Sequence, residues 1–304
     1  MTALPISEPG IYAGIPMAEY HAQLTVGPSI SSGGLRTITS KSPAHYFATS
    51  YLNPHAEKVD TTPFRIGKAA HSLLLGDEVF EEHFAVAPFD GGRNTSTGDW
   101  KAGEKQTWWS ECQVMGRVPL SKDEYARILG MRDVLMREPL IQDGLLGGDA
   151  ERSIICRDEE TGVWLKARPD VIPKSGWMVD YKTVADAHPR KIQRAVFDHG
   201  YHQQLGLAAE CLAQLGEPVP REYALVCQEK TPPYAVTIQS LPIEAIWAGV
   251  KQNRSAIRTF AQCLSEGVWP GYGEADDLTT PQYIIDRCAG IETPAWLKPL
   301  ENDA

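Results

Sequence analysis

Two aspartates and a lysine, Asp170, Asp180 and Lys182, stand close together in the run KARPDVIPKSGWMVDYKT. The sequence predicts two adjacent strands here, Val163 to Arg168 ending at Pro169-Asp170, and Trp177 to Lys182, joined through a turn at Lys174-Ser175-Gly176. Side chains alternate along a strand, so Asp180 and Lys182 share one face while Val179 and Tyr181 share the other. Carboxylates are hard oxygen ligands for Mg²⁺, and a neighbouring ammonium can hold a water or offset charge developing on a phosphate. That chemistry suits metal-dependent cleavage of a phosphodiester. A surface hairpin with ordinary charges would contain the same triplet, but the second strand is otherwise apolar (Trp177, Met178, Val179), and charges buried there are costly unless paired or metal-bound.

Other residues are candidates for the same centre. A helix is predicted from about Pro63 to Leu75, and His71 lies one turn beyond Gly67 on it, a spacing that permits close approach of another backbone or a ligand. A lone helical histidine is more often a satisfied core or surface residue, so alone it decides nothing. Glu151 opens the strand before the Asp170 strand, where it either reaches the same end of the sheet or stays a solvated strand-end charge. Tyr201 and Gln204 are three apart on the following helix and so share a face, available to a phosphate, to the lysine or to a buried interface.

The remaining elements frame these residues. Short helices are predicted near Ser32 to Thr39 and Pro43 to Tyr51, and a loop over PFDGGRNTSTGDW. Helix signals resume at Trp108 and at Ser121, where Ser121 and Glu124 form a capping box. Strands follow at Ser153 to Arg157, Val163 to Arg168 and Trp177 to Lys182, then one long helix from Pro189 to Leu215 with Gly216 as its stop. Strands at Tyr223 to Cys227 and Tyr234 to Ile238 precede a last helix from Pro242 to Glu266. Strands flanked by helices on both sides imply an α/β fold with a mixed sheet.

Composition limits the partners. The 304 residues hold no run of ~18 apolar residues that would span a membrane, and the amino terminus lacks a basic-then-apolar leader, so a cytoplasmic location is expected. Six scattered cysteines without a CxxC pair argue against structural zinc or an iron–sulfur cluster. The net charge of −10 opposes a nucleic-acid partner unless the basic surface is local. Lys166, Arg168, Lys174, Lys182, Arg190, Lys191 and Arg194 make the stretch from 166 to 194 the candidate for such a surface.

Taken in order, GKAAHSLLLGDEVFEEHF, ERSIICRDEETGVWLKARPD, MVDYKTVADA and YHQQLGLAAE resemble the nuclease domain of the RecE family (exodeoxyribonuclease VIII) of the PD-(D/E)xK superfamily. The similarity extends to GIYAGIPMAEYHAQ, SPAHYF and the late Trp269-Pro270 pair, nearly the whole chain. The resemblance implies a single nuclease domain over 1–304: an N-terminal extension (1–60), a restriction-endonuclease-like core with a mixed central β-sheet flanked by helices (61–240), and a C-terminal helical region (241–304). It implies a 5′-to-3′ exonuclease on double-stranded DNA ends, of phage type, acting in a bacterial cytoplasm. Such an enzyme leaves 3′ single strands for a RecT-like annealing protein and assembles as a cyclic homo-oligomer.

By motif, Asp170, Asp180 and Lys182 match the catalytic set and His71 joins it, while Glu151 matches an acidic strand-start residue and Tyr201 with Gln204 a supporting element. Asp170 and Asp180, helped by His71 and the Tyr181 carbonyl, would hold Mg²⁺, with Mn²⁺ as a substitute. Lys182, beside two carboxylates, stays protonated and acts as an orienter more than a base. Arg168, Arg190, Lys191 and Arg194 would track the DNA backbone. Lys68 stands where the family has a small or hydroxyl residue. A Cas4-like single-strand or end-trimming nuclease would share these residues, whereas a non-catalytic DNA-end scaffold would not need two adjacent carboxylates.

Overall fold

Alternation in the run WMVDYKTV builds the strand on which the molecule is organised. The computed structural model describes residues 5–56, 66–67, 69–72, 80–81, 83–90, 104–150, 152–173, 176–273 and 279–290. Its elements, in chain order, are β1 (Gly10–Tyr12), α1 (Met17–His21), β2 (Ser29–Ser31), α2 (Ser32–Ser40), α3 (Pro43–Thr49), β3 (Phe84–Val86), α4 (Glu104–Val114), β4 (Val118–Leu120), α5 (Lys122–Leu135), α6 (Pro139–Gln142), β5 (Gly148–Ala150), β6 (Ser153–Arg157), β7 (Trp164–Ala167), β8 (Val171–Pro173), β9 (Trp177–Val184), α7 (Pro189–Asp198), α8 (Tyr201–Gln214), β10 (Glu222–Glu229), β11 (Val236–Leu241), α9 (Ile243–Glu266) and α10 (Gln282–Cys288). Residues 66–67 and 69–72 are also helical. The rest of the helix expected between Pro63 and Leu75, Lys68 included, lies outside the described residues, as does most of the loop expected between Pro88 and Trp100.

Five strands form one mixed sheet in the order β11-β10-β9-β8-β5, with β9 parallel to β10 and the other pairs antiparallel. Four more form a second sheet, β1-β6-β7-β2, and β3 pairs with β4 in a third. The α/β expectation therefore holds, with one correction. The strands around Val163 to Arg168 and Trp177 to Lys182 are not neighbours: β7 pairs with β6 and β2, whereas β9 pairs with β8 and β10. Pro169 has no N–H for a ladder and bends the chain out of the first sheet, so Asp170 sits at the crossing between the two sheets.

Met178 points into a core shared with Ile30 of β2, Leu35 of α2, Leu205 of α8 and Phe260 of α9. Val179 and Tyr181 point the other way, toward Ile128, Met131 and Leu135 of α5. Asp180 and Lys182 must then face α8, as the alternation requires. The expected capping box holds: Ser121 Oγ accepts from the Glu124 amide and Glu124 accepts from the Ser121 amide.

The single helix expected from Pro189 to Leu215 is two. The chain turns at Gly200, whose φ of 64° is left-handed, and α8 starts afresh at Tyr201. A Cβ at Gly200 would lie 2.6 Å from Gln203 Oε1 and 2.7 Å from Arg36 Cδ, so only glycine fits this corner. Among the described residues no helix is long and apolar enough to cross a membrane.

Candidate active site

Asp170, Asp180, Lys182, His71, Tyr201 and Gln204, drawn from four places in the sequence, meet at the β8 edge of β9. One oxygen of Asp170 accepts the Tyr181 backbone N–H at 2.7 Å, and the other lies 2.9 Å from His71 Nε2. The helical residues 66–72 can approach because Gly67 has no side chain: a Cβ there would be 2.8 Å from Thr183 Oγ1 of β9. The close approach allowed by the glycine is thus to the strand itself, and it carries His71 to Asp170.

Asp180 is almost completely buried, with 1% of its side chain exposed. Gln204 Nε2 donates to its Oδ1 at 2.6 Å, and its Oδ2 forms an ion pair with Lys182 Nζ. Lys182 Nζ also stands 5.5 Å over the Tyr201 ring centroid, a cation–π distance. Tyr201 and Gln204 therefore share the face expected of them, pointed at the lysine and at Asp180. Tyr181, on the opposite face, anchors the strand by donating its hydroxyl to buried Gln228 Oε1 at 2.7 Å.

The two carboxylates titrate in opposite directions. Burial alone would raise Asp170, but His71, Lys182 and the Tyr181 amide outweigh it and hold the acid well below the usual range. Asp180 is pushed up to about 6 by burial and by the Asp170 charge, against the pull of Lys182. Lys182 is raised: burial disfavours its charge, but Asp180 and Asp170 overcome that. The ammonium is a fixed positive charge at neutral pH, which suits an orienter and not a base.

Among the described residues no three His, Cys, Asp or Glu side chains form a ready metal cluster, and Asp170 pairs with His71 and Asp180 with Lys182. The donor set nevertheless fits a hard cation. Asp180 Oδ2 is buried against the Lys182 ammonium, with which it forms an ion pair. A residue's N–H and C=O leave a strand on the same side, so the Tyr181 carbonyl points where its N–H does, toward Asp170. Two carboxylates, an imidazole and a carbonyl are ligands that Mg²⁺ and Mn²⁺ accept.

Other sequence candidates fare differently. Glu151 lies outside the described residues, as does Lys174. Lys166 is buried and donates to the Tyr20 and Ala22 carbonyls, and burial lowers it to about 8. Arg168 donates to Ser153 Oγ and to the Ile15 carbonyl and stacks 4.4 Å from the Tyr20 ring centroid, so it clamps the amino-terminal segment instead of lining a DNA path. The basic stretch from 166 to 194 is accordingly not one surface. Arg190, Lys191 and Arg194 are exposed on α7, with Lys191 paired to Asp186 and Arg194 to Asp198.

One residue was missed by the sequence reading. Arg36 of α2 lies within electrostatic reach of Asp180, Tyr201 and Lys182. It is separated from them by over a hundred residues, and nothing in SGGLRTITS sets it apart from an ordinary helix charge.

The fold is shared with a solved protein from Eubacterium rectale, provisionally described as an exonuclease: TM-score 0.60 at 15% identity, covering 92% of this chain and all of that one. A second structure, SSO0001, aligns at TM-score 0.27 and 14% identity over 66% of this chain and 87% of the other, too loosely to carry an argument. No curated protein matches the sequence. Residues 31–281, a span that contains every described residue of the site, match the profile of the PDDEXK-like domain of unknown function DUF3799, and the chain belongs to that family, within the PD-(D/E)xK superfamily.

Proposed function

We propose that this protein is a divalent-metal-dependent deoxyribonuclease that degrades double-stranded DNA from its ends, 5′ to 3′. The observation that carries the reading is the pairing, on one strand edge, of a deeply buried carboxylate with a fixed ammonium and a second carboxylate. A structural role needs no such group. Asp170, Asp180, the Tyr181 carbonyl and His71 would hold the ion, which supplies Lewis-acid stabilisation of charge on the phosphate. Lys182 orients the attacking water and offsets negative charge as the phosphate is attacked. Gln204 fixes the rotamer of Asp180, and Tyr201 shields Lys182 from bulk water, so both preorganise groups whose charge matters.

The polarity and the biological setting rest on the resemblance of the motifs to the RecE family. On that basis the product is a duplex with 3′ single strands, handed to a RecT-like annealing protein in a bacterial cytoplasm, and the enzyme works as a cyclic homo-oligomer. Arg190, Lys191 and Arg194, exposed on α7, would track phosphates outside the centre. Digestion of linear duplex labelled at either 5′ or 3′ ends, with Mg²⁺ or Mn²⁺, against a covalently closed circle tests the proposal. Release of the 5′ label first, with the circle intact, is expected. Rapid cutting of the circle would make the protein an endonuclease, and no cutting in any metal would remove the reading.

A further inference from the structure

Arg36 is the charged side chain near this centre whose presence the scheme above leaves unexplained. Its guanidinium is held by neutral acceptors alone: Nη1 donates to the His199 carbonyl at 3.0 Å and Nε to the Ser32 carbonyl at 3.3 Å. Among the described residues it forms no ion pair with a carboxylate, and Nη2 has no hydrogen-bond partner. Its stem is wedged over Gly200, where a Cβ would come within 2.9 Å of Cγ and 2.7 Å of Cδ. The head is therefore fixed at the α7–α8 corner, next to the helix start that delivers Tyr201 and Gln204 to the site.

Burial lowers the pKa of Arg36, and the opposing pull comes from Asp180 and Tyr201. A partly buried cation without a counter-charge is costly, so its retention calls for an anion that completes it. The carboxylates of the centre do not play that part, since Asp180 is already bonded to Lys182 and Gln204, and Asp170 to His71 and the Tyr181 amide. Asp170 and Asp180 carry two negative charges and Lys182 one positive, so a divalent cation bound here would leave the centre in positive excess before Arg36 is counted. A phosphodiester is the anion that corrects it.

We propose that Arg36 is a substrate-contacting residue, donating Nη2–H to a non-bridging oxygen of the phosphodiester at the Asp170–Asp180 centre. The inference rests on the nuclease reading and adds a second fixed cation to it, at the corner where α8 begins. A charge-assisted hydrogen bond of this kind strengthens as charge builds on phosphate oxygens in the transition state, so it acts on turnover as well as on affinity.

The test uses the full chain with linear duplex in Mg²⁺ for turnover, and with Ca²⁺ for binding across a salt series. R36M, which keeps the stem and removes the charge, is expected to lower kcat/KM about 100-fold. Its slope of log binding constant against log salt should fall by about 0.9, the loss of one phosphate contact. R36K keeps the charge without the fork and should retain the slope while losing about tenfold in kcat. A merely structural arginine would move the thermal midpoint and leave the salt slope alone. An R36M protein with wild-type turnover and slope overturns the proposal, as does, should R36M fail to fold, an R36K protein with wild-type kcat. If the wild type binds DNA without cutting it, the nuclease reading fails and the salt slopes still decide the role of Arg36. Absence of DNA binding by the wild type overturns both.

Discussion

Asp180 shows how burial and one neighbour set the behaviour of a side chain. Its ordinary pKa of 3.8 is pushed up to about 6 by desolvation and by Asp170. Between those values the unfolded chain has released the proton that the folded chain keeps, so in metal-free protein this group subtracts stability as pH rises from about 4 to about 6. A cation competes with that same proton. Mn²⁺ affinity, followed by titration calorimetry on the metal-free protein, is expected to rise about tenfold per pH unit below about 6 and to level off above it. A flat profile would mean that Asp180 is not a ligand. Asp180→Asn preserves shape and the Gln204 contact but removes the charge, and should cut turnover by about 10² or more while end binding in Ca²⁺ persists. Gel-based digestion with a parallel binding titration checks both halves.

The elements contribute through a few close approaches that place side chains. Helices α8 and α9 cross at Gly249, where a Cβ would lie 2.5 Å from the His202 carbonyl oxygen. In an exposed helix Gly→Ala gains about 1 kcal/mol. Here the helices must part, carrying α8 and with it Gln204 away from β9, so Gly249→Ala is expected to destabilise by roughly 1–3 kcal/mol. Urea unfolding measures the loss, and a midpoint at or above wild type would show that the crossing is looser than the geometry implies. The crossing is further tied by Gln203 and Asn253, both buried, through Asn253 Nδ2 donating to the Gln203 carbonyl at 2.8 Å. Gly200 acts at the same end of α8, breaking one amphipathic run into two helices so that Tyr201 and Gln204 begin a new axis.

For the whole molecule, the difficulty is a net charge of −10 acting on a polyanion. A monomer so charged is repelled at long range, and with Lys166 and Arg168 engaged within the chain, α7 carries the exposed part of the basic stretch among the described residues. Several copies facing one enclosed duplex would multiply that part, with acidic surface turned outward. A cyclic homo-oligomer that degrades long linear DNA processively is the expected outcome, read by light scattering together with a trap-DNA chase. A monomeric mass with distributive digestion would refute the ring and leave the chemistry of the centre standing.

Local pattern was enough for much of this. Strict alternation in WMVDYKTV put Asp180 and Lys182 on one face, Ser121 with Glu124 started α5, and the order of motifs pointed to the PD-(D/E)xK fold. The first two depend on residues within one or two turns of each other, whose geometry is set by the backbone period, and the third on the order of short motifs along the chain. Tertiary structure alone decided that β7 and β9 belong to different sheets, that Arg168 is a clamp, that Gly200 divides a helix, and that Arg36 stands beside the centre. Each of those depends on contacts between segments far apart in the chain. An arginine in a short helix carries no mark of which strand will lie across from it, because the energy that places it there is the burial of Leu35 and Ile38 beside it, not anything in its own charge.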